Sequence, residues 1–155
     1  MNDHKINLLL EAFFCNPKLQ SVSLIGYKWF REMKELTNCT LVTHIRNKNA
    51  LDREEGSFAQ IIYIDTEKFS KILLNLSKGM PNKLRSISSN IFGRLDYKLF
   101  SIIAKKKVKA ILKNQSFDIH HKVTPVSVSS FSSISSLDIP SIVGPLNSGM
   151  DWPKG

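Results

Sequence analysis

Apolar positions along this chain come in short strand-like runs, separated by stretches where they recur every three or four residues. The runs are Ile6–Phe14, Thr40–Ile45, Gln60–Ile64, Phe117–Val123 and Ile139–Val143. Runs of that length, without polar alternation, predict strands buried on both faces of a parallel sheet. The stretches between them read as helices. Leu24–Leu36 carries Ile25, Trp29, Met33 and Leu36 on one stripe. Asn47–Glu55 predicts a short helix with Gly56 as its stop. Asp65-Thr66 can cap the next helix, which has Phe69, Ile72, Leu73 and Leu76 on one face. Gly79-Met80-Pro81 interrupts it, and a second helical region runs from Leu84 to Lys113, with Ser88-Ser89-Asn90 and Gly93 in its first part. Cys15 to Ser23 is a turn-rich loop, and Val126–Leu137 predicts a serine-rich helix. The chain has no internal repeat.

Strands alternating with helices predict an α/β domain over residues 1–155: an open, Rossmann-like, mostly parallel sheet with helices on both faces. Ligands of such sheets bind beyond the carboxyl ends of the strands. Here those ends are Cys15–Ser23, the segment after Ile45, His120–Pro125 and Gly144–Gly149.

Charge adds a feature that the pattern does not show. The chain of 155 residues is 42% hydrophobic and 23% charged, which excludes a disordered tail. Its net charge of +9 favours anionic partners. Residues 66–116 hold twelve basic residues and two acidic ones, a local balance of +10, whereas the remainder holds ten basic and eleven acidic. The excess therefore belongs to one basic helical insertion. Within it, Tyr97, Phe100, Ala104, Val108 and Ile111 form an apolar stripe. Lys98, Lys105, Lys106, Lys109 and Lys113 gather opposite, and Lys107 falls on the apolar side. Such a helix suits an anionic membrane surface, or else it is a crossover helix with a solvated lysine face. The run lacks interleaved aromatics and a reading motif, which argues against nucleic acid.

Cys15 and Cys39 are too few for a disulfide framework and have no metal-ligand spacing. A reducing compartment is the simple reading. No segment reaches the roughly 18–20 apolar residues of a membrane span. The stretch Ile6 to Leu10, broken by Glu11, is too short for a signal peptide. The expected location is therefore cytoplasmic, with peripheral attachment to the inner face of a membrane as the option the basic helix adds.

Three local sequences are candidates for chemistry. Gly26 ends the first loop, where it either cradles a phosphate or lets the helix pack closely on the sheet. His120-His121 closes the fourth strand, and adjacent strand residues point to opposite faces. One imidazole then packs under a helix while the other faces the cleft. There it can donate a proton, donate a hydrogen bond to a sugar hydroxyl or phosphate, or serve structure alone. Gly144-Pro145-Leu146-Asn147-Ser148-Gly149 predicts a tight loop with positive-φ positions, suited to close approach of a ligand.

With these residues in view, the chain resembles the amino-terminal domain of the family-4 retaining glycosyltransferases of the GT-B type. Three stretches carry the likeness: Glu11–Leu19 leading into Gly26-Tyr27-Lys28-Trp29, Phe117–Pro125, and Ile139–Gly149; Thr43–Lys48 fits as well. The resemblance implies an acceptor-binding half that faces an interdomain cleft. The partner half would bind a nucleotide-sugar donor, and this half would bind no cofactor and no metal. His121 matches the family's histidine near the transferred sugar, with Thr124 and Pro125 in the loop beside it. Gly26 matches the last glycine of the first loop, and Ser21 the serine of the family's Gly-Ser-Glu-Pro-Gly stretch. Asn147, Ser148 and Gly149 fall in the glycine loop, where Ser148 replaces a frequent glycine. Lys122 stands where relatives often have a second histidine. The implied activity is sugar transfer to a cell-surface polysaccharide or glycolipid acceptor. The donor-binding domain is expected to be missing from this chain, leaving it incomplete as a catalyst unless a separately encoded half supplies it. The alternative is a non-catalytic module that docks on an anionic membrane or an acidic partner.

Overall fold

A computed structural model describes residues 5–56, 60–78 and 81–147. Its elements follow in the order β1 (Asn7–Ala12), α1 (Val22–Leu36), β2 (Asn38–His44), α2 (Lys48–Glu55), β3 (Gln60–Ile64), α3 (Glu67–Lys78), α4 (Asn82–Ile111), β4 (Ile119–Thr124) and β5 (Ser141–Val143). The five strands form one all-parallel sheet in the order β3-β2-β1-β4-β5. This is a Rossmann-like α/β arrangement.

The apolar runs are explained by the two cores. On one face, Leu9, Phe13, Val42 and Ile64 pack against Tyr97, Phe100, Ala104 and Val108 of α4. On the other, Leu8, Leu10, Ala12, Leu41 and Val123 pack against Phe30 of α1 and Leu51 of α2. Successive side chains of one strand feed opposite faces, so a strand covered on both sides is largely apolar and its polar residues are buried with it.

Local signals set several boundaries. Gly56 follows α2 at φ 62°, a conformation open to glycine but strained for other residues. The Asp65 carboxylate accepts the Glu67 amide at 2.8 Å where α3 begins. Of the predicted Gly79-Met80-Pro81 break, residues 79 and 80 lie outside the described residues.

One predicted helix is not present. Val126–Leu137 runs as an irregular segment with one 3₁₀ turn, Ile134–Ser136. Its serines bond locally and across the fold instead of supporting a helical ladder. Ser132 Oγ accepts the Ile134 amide at 3.1 Å, and Ser101 Oγ of α4 takes the Ser133 amide.

Candidate functional site

Strand order turns around β1: β2 and β3 lie to one side of it, β4 and β5 to the other. The edge beyond the carboxyl ends of β1 and β4 is the position such sheets use for ligands. Side chains from three elements fix its edges. Thr124 Oγ1 accepts the Phe14 amide at 3.0 Å and donates to the Phe14 carbonyl at 2.9 Å. Asn47 Nδ2 donates to the Phe13 carbonyl at 2.9 Å and to Thr43 Oγ1 at 2.8 Å, while Thr43 donates to the Ala12 carbonyl. The first loop therefore leaves the sheet in one direction only.

Gly26 lies where α1 crosses this loop. A Cβ built there would lie 2.0 Å from the Phe14 carbonyl oxygen and 3.4 Å from Thr124 Cγ2. Of the two readings of Gly26, close packing is the one with geometry behind it. Ser21 stands at the start of α1 with φ 59°, an uncommon conformation for a residue with a side chain, and its carbonyl accepts the Leu24 and Ile25 amides.

His121 packs beneath α1, its ring edge-on to Trp29 at 4.9 Å between centroids. Its Nε2 faces the Gly144 carbonyl at 2.9 Å, so that nitrogen carries the proton and donates. Burial holds the ring below the usual histidine range; the Gly144 contact opposes that and the neighbouring His120 adds to it. The Asn147 amide donates to the Val126 carbonyl at 2.8 Å, joining the third loop to Pro125-Val126. Ser21, Thr124, Pro125 and Asn147 thus belong to loops and strand or helix ends at one edge of the sheet, while Gly26 lies within α1 and His121 within β4; Ser148 and Gly149 lie outside the described residues.

Two expectations need correction, and the odd position of Lys107 finds its reason. Neither imidazole of His120-His121 stands open in the cleft: His120 is fully buried and His121 nearly so. Gly144 does not take a positive φ, and a Cβ there would meet nothing within 4 Å, so space does not demand glycine at that position. Lys107, the misfit of the basic helix, sends Nζ to the Tyr63 carbonyl of β3 at 2.8 Å.

The basic face occupies a different part of the fold. Lys98, Lys106 and Lys109 are exposed on the outer side of α4, Lys105 is half-buried, and Lys113 follows the helix end. Leu84, Ile91, Leu95 and Ile102 share that outer side and are also exposed.

The most strongly buried polar cluster escaped the sequence reading. Glu11 is wholly buried and opposite Lys122 in the β1–β4 register. Its carboxylate takes hydrogen bonds from Tyr97 Oη at 2.8 Å, from His120 Nε2 at 3.1 Å and from Ser132 Oγ. Lys122 is 1% exposed. Its Nζ lies 5.7 Å from the centre of the Tyr97 ring and is the single buried side-chain nitrogen or oxygen without a hydrogen-bond partner among the described residues. Burial pulls its pKa below the usual lysine value, against the attraction of Glu11. The available signal was a carboxylate and an ammonium, each interrupting a strand predicted to be covered on both faces.

A second network anchors α3 and α4 to β2. His44 Nδ1 accepts the Arg46 amide, which leaves Nε2 to donate to Thr66 Oγ1 at 2.8 Å; Thr66 in turn donates to Asp96. Arg46 bridges Asp96 and Glu67. Among the described residues no group of His, Cys, Asp and Glu could hold a metal ion, and no helix is long and apolar enough to cross a membrane. No family model, curated protein or solved structure matches this chain.

Proposed function

We propose that this chain is the acceptor-side half of a retaining GT-B glycosyltransferase, which moves a sugar from a nucleotide sugar to a polysaccharide or glycolipid acceptor. One observation supports the reading above the others. The three stretches that resemble the family meet at the carboxyl edge of β1, β4 and β5, joined by the Thr124–Phe14, His121–Gly144 and Asn147–Val126 hydrogen bonds. In this reading His121 and the Gly144 loop border the acceptor, and Trp29 beside His121 reports its arrival. Transfer needs groups positioned around both the moving sugar and the leaving phosphate. A donor-binding half must supply those on the phosphate side.

Glycan binding is the test. The fluorescent-labelled chain, applied to an array of polysaccharide and glycolipid acceptors, retains one acceptor class. His121→Ala weakens that binding at least about tenfold, a loss of roughly 1.4 kcal/mol. An array with no bound class, or equal binding by the variant, overturns the reading. Efficient sugar transfer by this chain alone would falsify its half-enzyme part.

The outer side of α4 supports a second reading, a module that docks on anionic membrane. Exposed Leu84, Ile91, Leu95 and Ile102 alternate there with Arg94, Lys98, Lys106 and Lys109. Apolar side chains to enter the interface and cations to hold lipid headgroups are the two components of such binding.

A further inference from the structure

Between α4 and the segment 129–133 lies a cavity of about 460 Å³. Arg94 and Lys98 stand on one wall, and Ser129, Ser130 and Ser133 on the other. Tyr97 and Ser132 also line it, but both hydroxyls are committed to Glu11. Lys122 Nζ lies over the Tyr97 ring, one side chain away from the cavity. Its three N–H groups have no acceptor, and Glu11 already serves Tyr97, His120 and Ser132. Leaving a buried ammonium without an acceptor is costly, and an anion in the cavity would supply one. The four-carbon stem of lysine is flexible enough to carry Nζ past the edge of the Tyr97 ring.

We infer that this cavity binds the phosphate of a phosphorylated sugar or glycerol group, held by Arg94 and Lys98 at the rim, with Lys122 reaching it past the edge of Tyr97 when the ligand is bound. Three cations match the charge of a phosphate better than that of a single carboxylate, and the serine hydroxyls on the facing wall suit the ligand's own hydroxyls. Phosphate binding stands apart from the sugar-transfer reading; only the assignment of that sugar as the acceptor rests on it.

The test is an NMR titration of the ¹⁵N-labelled chain with two probes. These are glucose 6-phosphate, and vesicles of equal parts phosphatidylglycerol and phosphatidylcholine. Glucose 6-phosphate is expected to shift the Tyr97, Ser132 and Ser133 amides saturably. A response of the same amides to the vesicles alone supports the inference with the phosphate on a lipid headgroup. Lys122→Met and the exposed-site pair Arg94→Gln/Lys98→Gln each raise the dissociation constant at least about tenfold. Because the pair lies on the surface, its loss of binding cannot be ascribed to unfolding. No saturation with either probe, shifts confined to Lys105, Lys106 and Lys109, or unchanged affinity in both variants overturns the inference. Phosphate binding combined with glycan binding that ignores His121→Ala sinks the transfer reading alone. The opposite combination sinks this inference alone.

Discussion

Glu11 and Lys122 face one another across two strands, yet their substitution is expected to have opposite consequences. Glu11→Leu removes the acceptor of buried Tyr97 and His120 and of half-buried Ser132, and leaves Lys122 without its nearby opposite charge. Losing one member of such a pair costs about 3 kcal/mol or more. Lys122→Met replaces an unpartnered buried ammonium with an apolar chain of similar volume, and stability is unchanged or rises. Urea unfolding of both variants checks this; a loss in Lys122→Met as large as in Glu11→Leu would show that the pairing holds the strand in place. Gly26→Ala places a methyl group 2.0 Å from a backbone oxygen, which only displacement of α1 can relieve. Overpacking of that kind costs about 1–3 kcal/mol, read as a lower urea midpoint at unchanged slope. Protons act at this scale too. Burial lowers the pKa of His44 and of His121 below the unfolded value of 6.5, so the unfolded chain binds more protons as pH falls through that value. Stability is then lost toward acid and recovered above neutrality. Thermal melts should fall from about pH 7.5 to pH 5.5, and the slope should flatten in a His44→Gln/His121→Gln double variant.

At the scale of elements, what could be read from sequence depended on where each side chain satisfies itself. β3 was legible to the residue because it combines β-branched residues with a parallel neighbour, and Asn47–Glu55 because Gly56 marks its end. Val126–Leu137 was misread because its serines bond to distant groups, Ser132 to Glu11 and Ser133 to Ser101, contacts that no local pattern encodes. The glycine loop was only partly legible, since composition predicts a turn there but not the His121 hydrogen bond that positions it. Helix α4 shows the same division. Its inner stripe was read correctly, whereas the exposed leucines and isoleucines among its lysines look like core positions until the sheet is in place. If that outer side docks on membrane, the chain floats with phosphatidylglycerol vesicles and not with phosphatidylcholine. Replacing Lys105, Lys106 and Lys109 with Glu should abolish flotation; unchanged flotation would remove the second reading.

For the molecule as a whole, the sheet order places its most secure strand at the centre. β1 pairs with β2 and with β4 and is covered from both faces. The helix α3 buries only Leu73 and Ser77 among its residues. Opening free energy follows such differences in burial. Native-state hydrogen exchange should therefore be slowest in Leu8–Ala12 and much faster in α3. Uniform protection across both would show that the His44–Thr66–Asp96 network binds α3 more firmly than its packing does.

The links made by Glu11 also govern how the chain emerges during synthesis. Its donors Tyr97, His120 and Ser132 follow it by 86, 109 and 121 residues. A ribosome working at roughly 5–20 residues per second takes about 6 to 24 seconds to cover the longest of those intervals. Through that interval the Glu11 carboxylate lacks its full set of partners, and the β4 side of the first strand stays unpaired until Ile119–Thr124 is made. The buried cluster at the centre of the sheet therefore closes only once the segment that carries Ser132 has been made.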